Sequence, residues 1–131
     1  MNAATDVFLT KALESLAGAE SELVNGRYNN CANRCYYACF QAAIHALMRA
    51  GVRPSSGQWG HDFVQAQFVG LLINRRKIYP TRLRDTLSRA FTLRRTADYQ
   101  VEIVSQTRAE RITKSAYDFL DVISQVKSGS I

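Results

Sequence analysis

The chain has 131 residues, of which 47% are apolar and 21% charged, and its formal net charge is +6. This length and composition predict one globular domain, residues 1–131, that buries a substantial core. The sequence has no run of 18 apolar residues, which argues against a membrane span, and residues 1–9 lack the features of a secretory signal. We therefore expect a cytoplasmic protein whose three cysteines are reduced.

Five helices are predicted in chain order, with no strand of useful length. They span about residues 5–24, 29–50, 61–72, 81–99 and 107–126, followed by a loose tail at 127–131. The predicted N-terminal caps are Thr5 or Asp6, Asn29 or Asn30, Thr81, and Thr107 in a capping box. The second helix is apolar nearly all round, which is typical of a central, buried helix. Together these features predict an all-α, up-down helical bundle.

The positive charge is concentrated in one segment. Between Leu71 and Thr96 there are eight basic residues and one acidic residue, whereas the rest of the chain sums to −1. A local field of this sign attracts phosphate groups, which favours nucleic acid or a nucleotide as ligand. A solvated, arginine-rich helix face is the alternative. The candidate nucleic-acid contacts are Arg75, Arg76, Lys77 and Arg95.

The cysteine and histidine residues offer few candidates for metal binding or catalysis. Cys31, Cys35 and Cys39 repeat every four residues, so they share one helix face and do not converge on a metal; we expect them to pack in the core without a metal. His45 lies inside the buried second helix, where a structural role is expected. His61 stands at a helix start, where it could face a ligand, cap the helix or pack. Phosphate-binding and dinucleotide glycine motifs are absent, and no cofactor is expected.

Arg94 is the most unusual charged residue. On a helix it continues the apolar stripe that contains Leu83 and Leu87, and an arginine there is expected to be paired or to line a cleft. Asp98 lies four residues on, within reach of Arg94, and Tyr99 follows. The alternative is that Arg94 and Asp98 form a local ion pair whose only role is to fix the end of the helix.

Two motifs carry a family resemblance. The segment 26–40, GRYNNCANRCYYACF, resembles the second-helix signature of HEPN-domain proteins. The segment 94–99, RRTADY, is similar to the R-x-x-A-D-Y motif of one branch of that family. His61 falls where this branch often has a Ser-His pair, with Gly60 in place of the serine. The resemblance covers about residues 8–124.

The resemblance implies a bundle of about five helices that forms a homodimer. Many HEPN proteins are metal-independent ribonuclease toxins, encoded beside a minimal nucleotidyltransferase antitoxin. Active members carry R-x(4–6)-H in a dimer cleft; Arg94 matches the arginine, but Tyr99 stands in place of the histidine, and a tyrosine is a poor base at neutral pH. In some pairs the partner transfers AMP to a tyrosine near this motif, which makes Tyr99 a candidate for modification.

These features predict a homodimer that binds RNA or a nucleotide through a cleft lined by Arg94, Asp98 and Tyr99. In a ribonuclease, Arg94 would stabilise the transition state, Asp98 would orient Arg94 or act as base, and Tyr99 would donate a proton or hydrogen bond. A non-catalytic module that docks a nucleotidyltransferase is the alternative, and a structural bundle that dimerises is a third. The dimer is expected also because the second helix carries more aromatic residues than one small bundle readily hides: Tyr36, Tyr37 and Phe40.

Overall fold

The structure, a computed structural model, describes residues 3–126, with side chains from Asp6 onward. It contains five α-helices and no strand among these residues, which confirms the all-α prediction. The helices are α1 (Ala3–Val24), α2 (Tyr28–Arg49), α3 (His61–Gln67), α4 (Thr86–Tyr99) and α5 (Gln106–Gln125). The predicted caps Thr5 and Asp6 lie inside the first turn of α1. The predicted tail, residues 127–131, falls outside the described residues.

A glycine forms the turn between α1 and α2, but α2 does not start with either of its predicted caps. Gly26 has φ of +74°, a left-handed conformation that glycine adopts without strain and that stops α1. Helix α2 begins at Tyr28, and neither Asn29 nor Asn30 caps it. The Asn29 side-chain oxygen instead accepts a hydrogen bond from the backbone N–H of Val104 at 3.0 Å. Asn29 therefore fastens the connection between α4 and α5 to the start of α2.

Helix α3 continues without a break into a π-helical segment, Phe68–Arg75. The predicted end at Leu72 was therefore too early, because wider helical turns carry the chain further; the last of them joins the N–H of Arg76 to the carbonyl of Leu71 at 2.8 Å. Lys77 then takes φ of +55°, which ends the helical conformation.

The fourth and fifth helices begin at other residues than predicted. Thr81–Leu83 forms a separate 3₁₀ turn, and α4 starts only at Thr86. Helix α5 is capped by Ser105, whose hydroxyl accepts from the N–H of Arg108 at 3.2 Å. The predicted capping box at Thr107 was wrong by two residues, because Ser105 has the extended backbone and the side-chain oxygen that an N-cap requires.

Helix α2 lies at the centre of the bundle and packs against α1, α4 and α5. Its cysteines are fully buried, and the sulfur of Cys31 lies 3.1 Å from the hydroxyl of Thr113 on α5. Burial raises the pKa of Cys39 to about 12, so this thiol is protonated at neutral pH. His45 is also fully buried. Over residues 6–126, no group of three or more His, Cys, Asp or Glu side chains is placed to hold a metal ion.

Within residues 3–126, none of the helices combines the length and the apolar character that crossing a membrane requires.

Candidate functional site

Arg94 lies where α4 packs against α2, and three tyrosine rings surround its side chain. The guanidinium carbon lies 5.3 Å from the ring centres of both Tyr36 and Tyr37, and 5.8 Å from that of Tyr99. We call these three rings the tyrosine cage. Each ring attracts the cation through its π face. The Arg94 side chain is still 19% exposed, so the cage leaves part of the charge open to a ligand.

Asp98 holds Arg94 in place through a short polar chain. The Nε of Arg94 lies 3.2 Å from Oδ2 of Asp98, and the side-chain amide of Asn33 donates to that same oxygen at 3.0 Å. Arg34 in turn donates to the side-chain oxygen of Asn33 at 2.7 and 3.1 Å. Because Oδ2 of Asp98 accepts from Asn33 and lies at ion-pair distance from Arg94, this geometry suits the orientation of Arg94 better than the removal of a proton.

His61 joins the same site from α3. Its Nδ1 lies 3.1 Å from the hydroxyl of Tyr36, and its ring stacks on Phe91 with ring centres 3.8 Å apart. Burial lowers the pKa of His61 below its usual value of 6.5; Arg94 lowers it further, and Asp62 opposes both. The imidazole is therefore mainly neutral at pH 7 and could accept a proton.

Tyr36 is the residue that connects His61 with Arg94. It is only 4% exposed, and burial raises its pKa to about 12, so its hydroxyl keeps its proton. Its ring contacts the guanidinium and its hydroxyl contacts the imidazole. If this hydroxyl accepts from Nδ1–H of His61, the other ring nitrogen, Nε2, carries the lone pair and is free to act as a base.

Tyr99 and Arg95 form the exposed side of the site. Tyr99 is 72% exposed, and its hydroxyl accepts a long hydrogen bond of 3.5 Å from Arg94. Arg95 is exposed as well, and its guanidinium carbon lies 5.9 Å from the ring centre of Phe91, the same ring on which His61 stacks. Both residues can therefore be reached from solvent beside Arg94.

The structure does not bring Arg75, Arg76 and Lys77 to Arg94. Arg76 donates to the carbonyl of Ala50, just past the end of α2, whereas Arg94 contacts Tyr36, fourteen residues earlier. At about 1.5 Å per residue these two places lie about 20 Å apart along the helix. The segment that is contiguous in the sequence is therefore divided between two ends of the molecule.

Two further arginines of the basic segment are engaged elsewhere. Arg82 forms a bidentate pair with Asp118 of α5, with N–O distances of 3.0 and 3.1 Å. Arg84 donates to the side chain of Asn74 at 3.1 Å. Their charges are therefore partly committed to contacts within the protein.

Sequence reasoning missed the residues that surround Arg94 from α2 and the ring that supports His61: Asn33, Tyr36, Tyr37 and Phe91. The sequence does predict that Asn33, Tyr36 and Tyr37 share one helix face, because Asn33 lies three and four residues before the two tyrosines. Only the packing of α4 and α3 on that face shows what it contacts.

The fold agrees with the comparison with known families. The family model described as HEPN domain matches residues 5–126. A search of curated proteins finds no match to the sequence. The family match takes in all five helices from the first turn of α1 onward, together with every residue of the Arg94 site. The chain belongs to the HEPN-domain family.

Proposed function

We propose that this protein binds RNA or a nucleotide at Arg94. The observation that carries the proposal is the guanidinium held by three tyrosine rings and Asp98 while 19% of its side chain stays exposed. A fixed, partly exposed arginine suits a phosphate group, and the exposed ring of Tyr99 offers a surface on which a base can stack. HEPN domains are modules associated with nucleotides and RNA, which supports the same ligand class.

The catalytic form of this proposal is a metal-independent endoribonuclease. The 2′-oxygen of one nucleotide attacks the adjacent phosphorus and the bond to the 5′-oxygen breaks, leaving a 2′,3′-cyclic phosphate. His61 takes the proton of the 2′-hydroxyl, Arg94 stabilises the charge on the phosphorane-like transition state, and Tyr99 donates a proton to the leaving oxygen. Asp98 orients Arg94. In this scheme His61 supplies the base that the motif lacks at the position of Tyr99.

The test is incubation of the purified protein with mixed RNA, with and without EDTA. We expect cleavage that EDTA does not prevent and that Arg94→Ala abolishes while the protein stays folded. The matched control is Arg82→Ala, which also removes an arginine from an aspartate pair on the surface. If both variants cleave RNA as well as the wild type does, Arg94 has no role in cleavage. If EDTA stops cleavage by the wild type, the activity depends on a metal.

A second candidate is a non-catalytic module that docks a minimal nucleotidyltransferase and is regulated by it, as in a toxin–antitoxin pair. The observation that favours it is the exposed hydroxyl of Tyr99 next to Arg94. Transfer of AMP from ATP to this oxygen, with release of pyrophosphate, would add bulk and negative charge beside the guanidinium. Incubation with such an enzyme and ATP should add the mass of one AMP group to the wild type and none to Tyr99→Phe.

We also propose that the protein forms a homodimer. Of the aromatic residues of α2, Tyr36 packs against Phe40 and Phe91 and is nearly buried, whereas Tyr37 and Phe40 stay partly exposed. Among the described residues, the most exposed large apolar side chain is Val101 in the connection after α4, at 101%, and Ile103 beside it is 78% exposed. Sedimentation should show a dimer at micromolar concentration, and Val101→Asp with Ile103→Asp should shift it to monomer. A monomeric wild type would refute the proposal.

A further inference from the structure

A basic groove that lies outside the Arg94 site separates α4 from α5. It has a volume of about 400 Å³, and its polar lining consists of three arginines and two hydroxyl residues. These residues are Arg89, Arg108, Arg111, Ser88 and Thr92. Among the described residues that line the groove, none is acidic. Its chemistry therefore suits an anion that presents several oxygens.

The arginines of the groove are not neutralised by neighbouring carboxylates. Among residues 6–126, the ion pairs involve other arginines, and none joins Arg89, Arg108 or Arg111 to an acid. Asp118 lies on the same face of α5 as Arg111, seven residues on, but Arg82 holds both of its oxygens. The positive charge of the groove is therefore available to a ligand.

The groove leads toward the tyrosine cage along one strip of α4. Thr92, Arg95 and Tyr99 follow one another at spacings of three and four residues, which places them on the same helix face. All three belong to the exposed part of α4. From Arg89 to Tyr99 the helix rises about 15 Å, enough for about four stacked nucleotides at about 3.4 Å each.

We propose that the groove between α4 and α5 binds the phosphodiester backbone of a single-stranded RNA whose neighbouring nucleotide occupies the Arg94 site. The inference rests on the proposed RNA-binding function and adds the path of the strand. A row of cations that ends at an exposed aromatic ring is the arrangement typical of proteins that bind single strands, because the cations track the backbone and the ring stacks on a base. Of the three arginines that line the groove, the basic segment of the sequence supplies Arg89 alone; the other two come from α5.

The test compares a uridine dinucleotide with a uridine octanucleotide, both fluorescently labelled, by anisotropy at several salt concentrations. The groove variant is Arg108→Gln with Arg111→Gln. The matched control is Lys11→Gln with Lys114→Gln, which removes the same charge from two exposed positions on α1 and on α5. Thermal melting of all proteins verifies that they fold.

For the wild type we expect the octanucleotide to bind at least tenfold more tightly than the dinucleotide. The groove variant should lose most of this advantage, and its log–log salt slope for the octanucleotide should fall by about 1.4, since each lost phosphate contact contributes about 0.7 for single strands. Its affinity for the dinucleotide should stay within twofold of the wild type, and the control variant should resemble the wild type with both ligands.

Two results would overturn the inference without deciding the role of Arg94. If groove and control variants bind the octanucleotide equally well, the groove does not bind RNA, whereas Arg94-dependent binding of the dinucleotide still supports the proposed function. If the wild type gains no affinity from the longer strand, the inference fails in the same way. Loss of dinucleotide binding in Arg94→Ala is therefore the separate measure of the proposed function.

Discussion

Two arginine–aspartate pairs of this protein have similar separations but different surroundings. Arg82 and Asp118 lie 3.0 Å apart with side chains 59% and 44% exposed, whereas Arg94 and Asp98 lie 3.2 Å apart with side chains 19% and 25% exposed. The first pair joins a short turn to α5 in open solvent. The second is surrounded by the tyrosine cage. The distance between arginine and aspartate therefore does not identify a functional site, whereas the groups that pack around the arginine do.

Arg94→Ala should have the largest effect and tests this comparison directly. We expect RNA cleavage to fall by about 100- to 1,000-fold, the range for removal of one group that stabilises transition-state charge. Arg82→Ala should leave cleavage within twofold and change stability little, since exposed pairs contribute little. Cleavage assays and thermal melts on the same samples decide between the roles.

A stability loss without a loss of function would reverse this interpretation. Removal of one partner of a fully buried pair costs about 3–5 kcal/mol, and because Arg94 and Asp98 keep 19% and 25% of their side chains exposed, a purely structural role predicts a smaller loss. If Arg94→Ala lowered the melting temperature by a corresponding amount while binding and cleavage stayed unchanged, Arg94 would serve only to fix the end of α4.

His61→Gln should have the next largest effect. Loss of a general base slows a reaction by about 100-fold or more, and glutamine keeps much of the polar contact with Tyr36. Cleavage by the wild type should also decline as the pH falls and the imidazole becomes protonated. A pH–rate profile that is the same in both proteins would remove His61 from the mechanism.

His61 should also make folding stability depend on pH. Burial lowers its pKa in the folded state below the value of 6.5 expected in the unfolded chain. The unfolded state therefore binds the proton more readily, so this contribution to stability is complete above pH 6.5 and is lost as the pH falls through the folded-state pKa. Urea titrations between pH 7 and pH 5 should show a smaller decline in His61→Gln than in the wild type.

Charge reversal at Arg75, Arg76 and Lys77 should have a moderate effect. These exposed residues lie about 20 Å from the Arg94 site along α2, so they can attract a long RNA but cannot contact a nucleotide bound there. We expect several-fold weaker binding of long RNA at low salt, with dinucleotide binding and the fold unchanged. Long-RNA affinity that does not respond to salt or to these substitutions would identify the segment as a solvated surface.

Tyr99→Phe should have the smallest effect on binding. The substitution removes a hydrogen bond of 3.5 Å but keeps the ring over Arg94, so affinity for a dinucleotide should change by less than about threefold. Tyr99→Ala, which also removes the ring, is the sharper comparison and should weaken binding more. Equal affinities of both variants would show that the ring does not stack on the ligand.

The candidate site was only partly predictable from the sequence. Arg94, Asp98 and Tyr99 were accessible because their spacing on one helix fixes which side chains can meet. His61 was indicated by its position at a helix start and by the family resemblance. Its contact with Tyr36 was not, because the two residues lie 25 positions apart on different helices. The groove between α4 and α5 gave no sequence signal either, since two of its three arginines lie outside the basic segment.

The helical bundle, the central position of α2 and the burial of the three cysteines follow from the amino-acid pattern, because apolar periodicity acts within a single helix and over a few turns. The same pattern places Arg94 on an inward-facing stripe. The contact of His61 with Tyr36, the hydrogen bond of Asn33 to Asp98 and the division of the basic segment come from the packing of the helices. Such contacts depend on how separate helices pack, and local periodicity carries no information about which residues of two distant helices face each other.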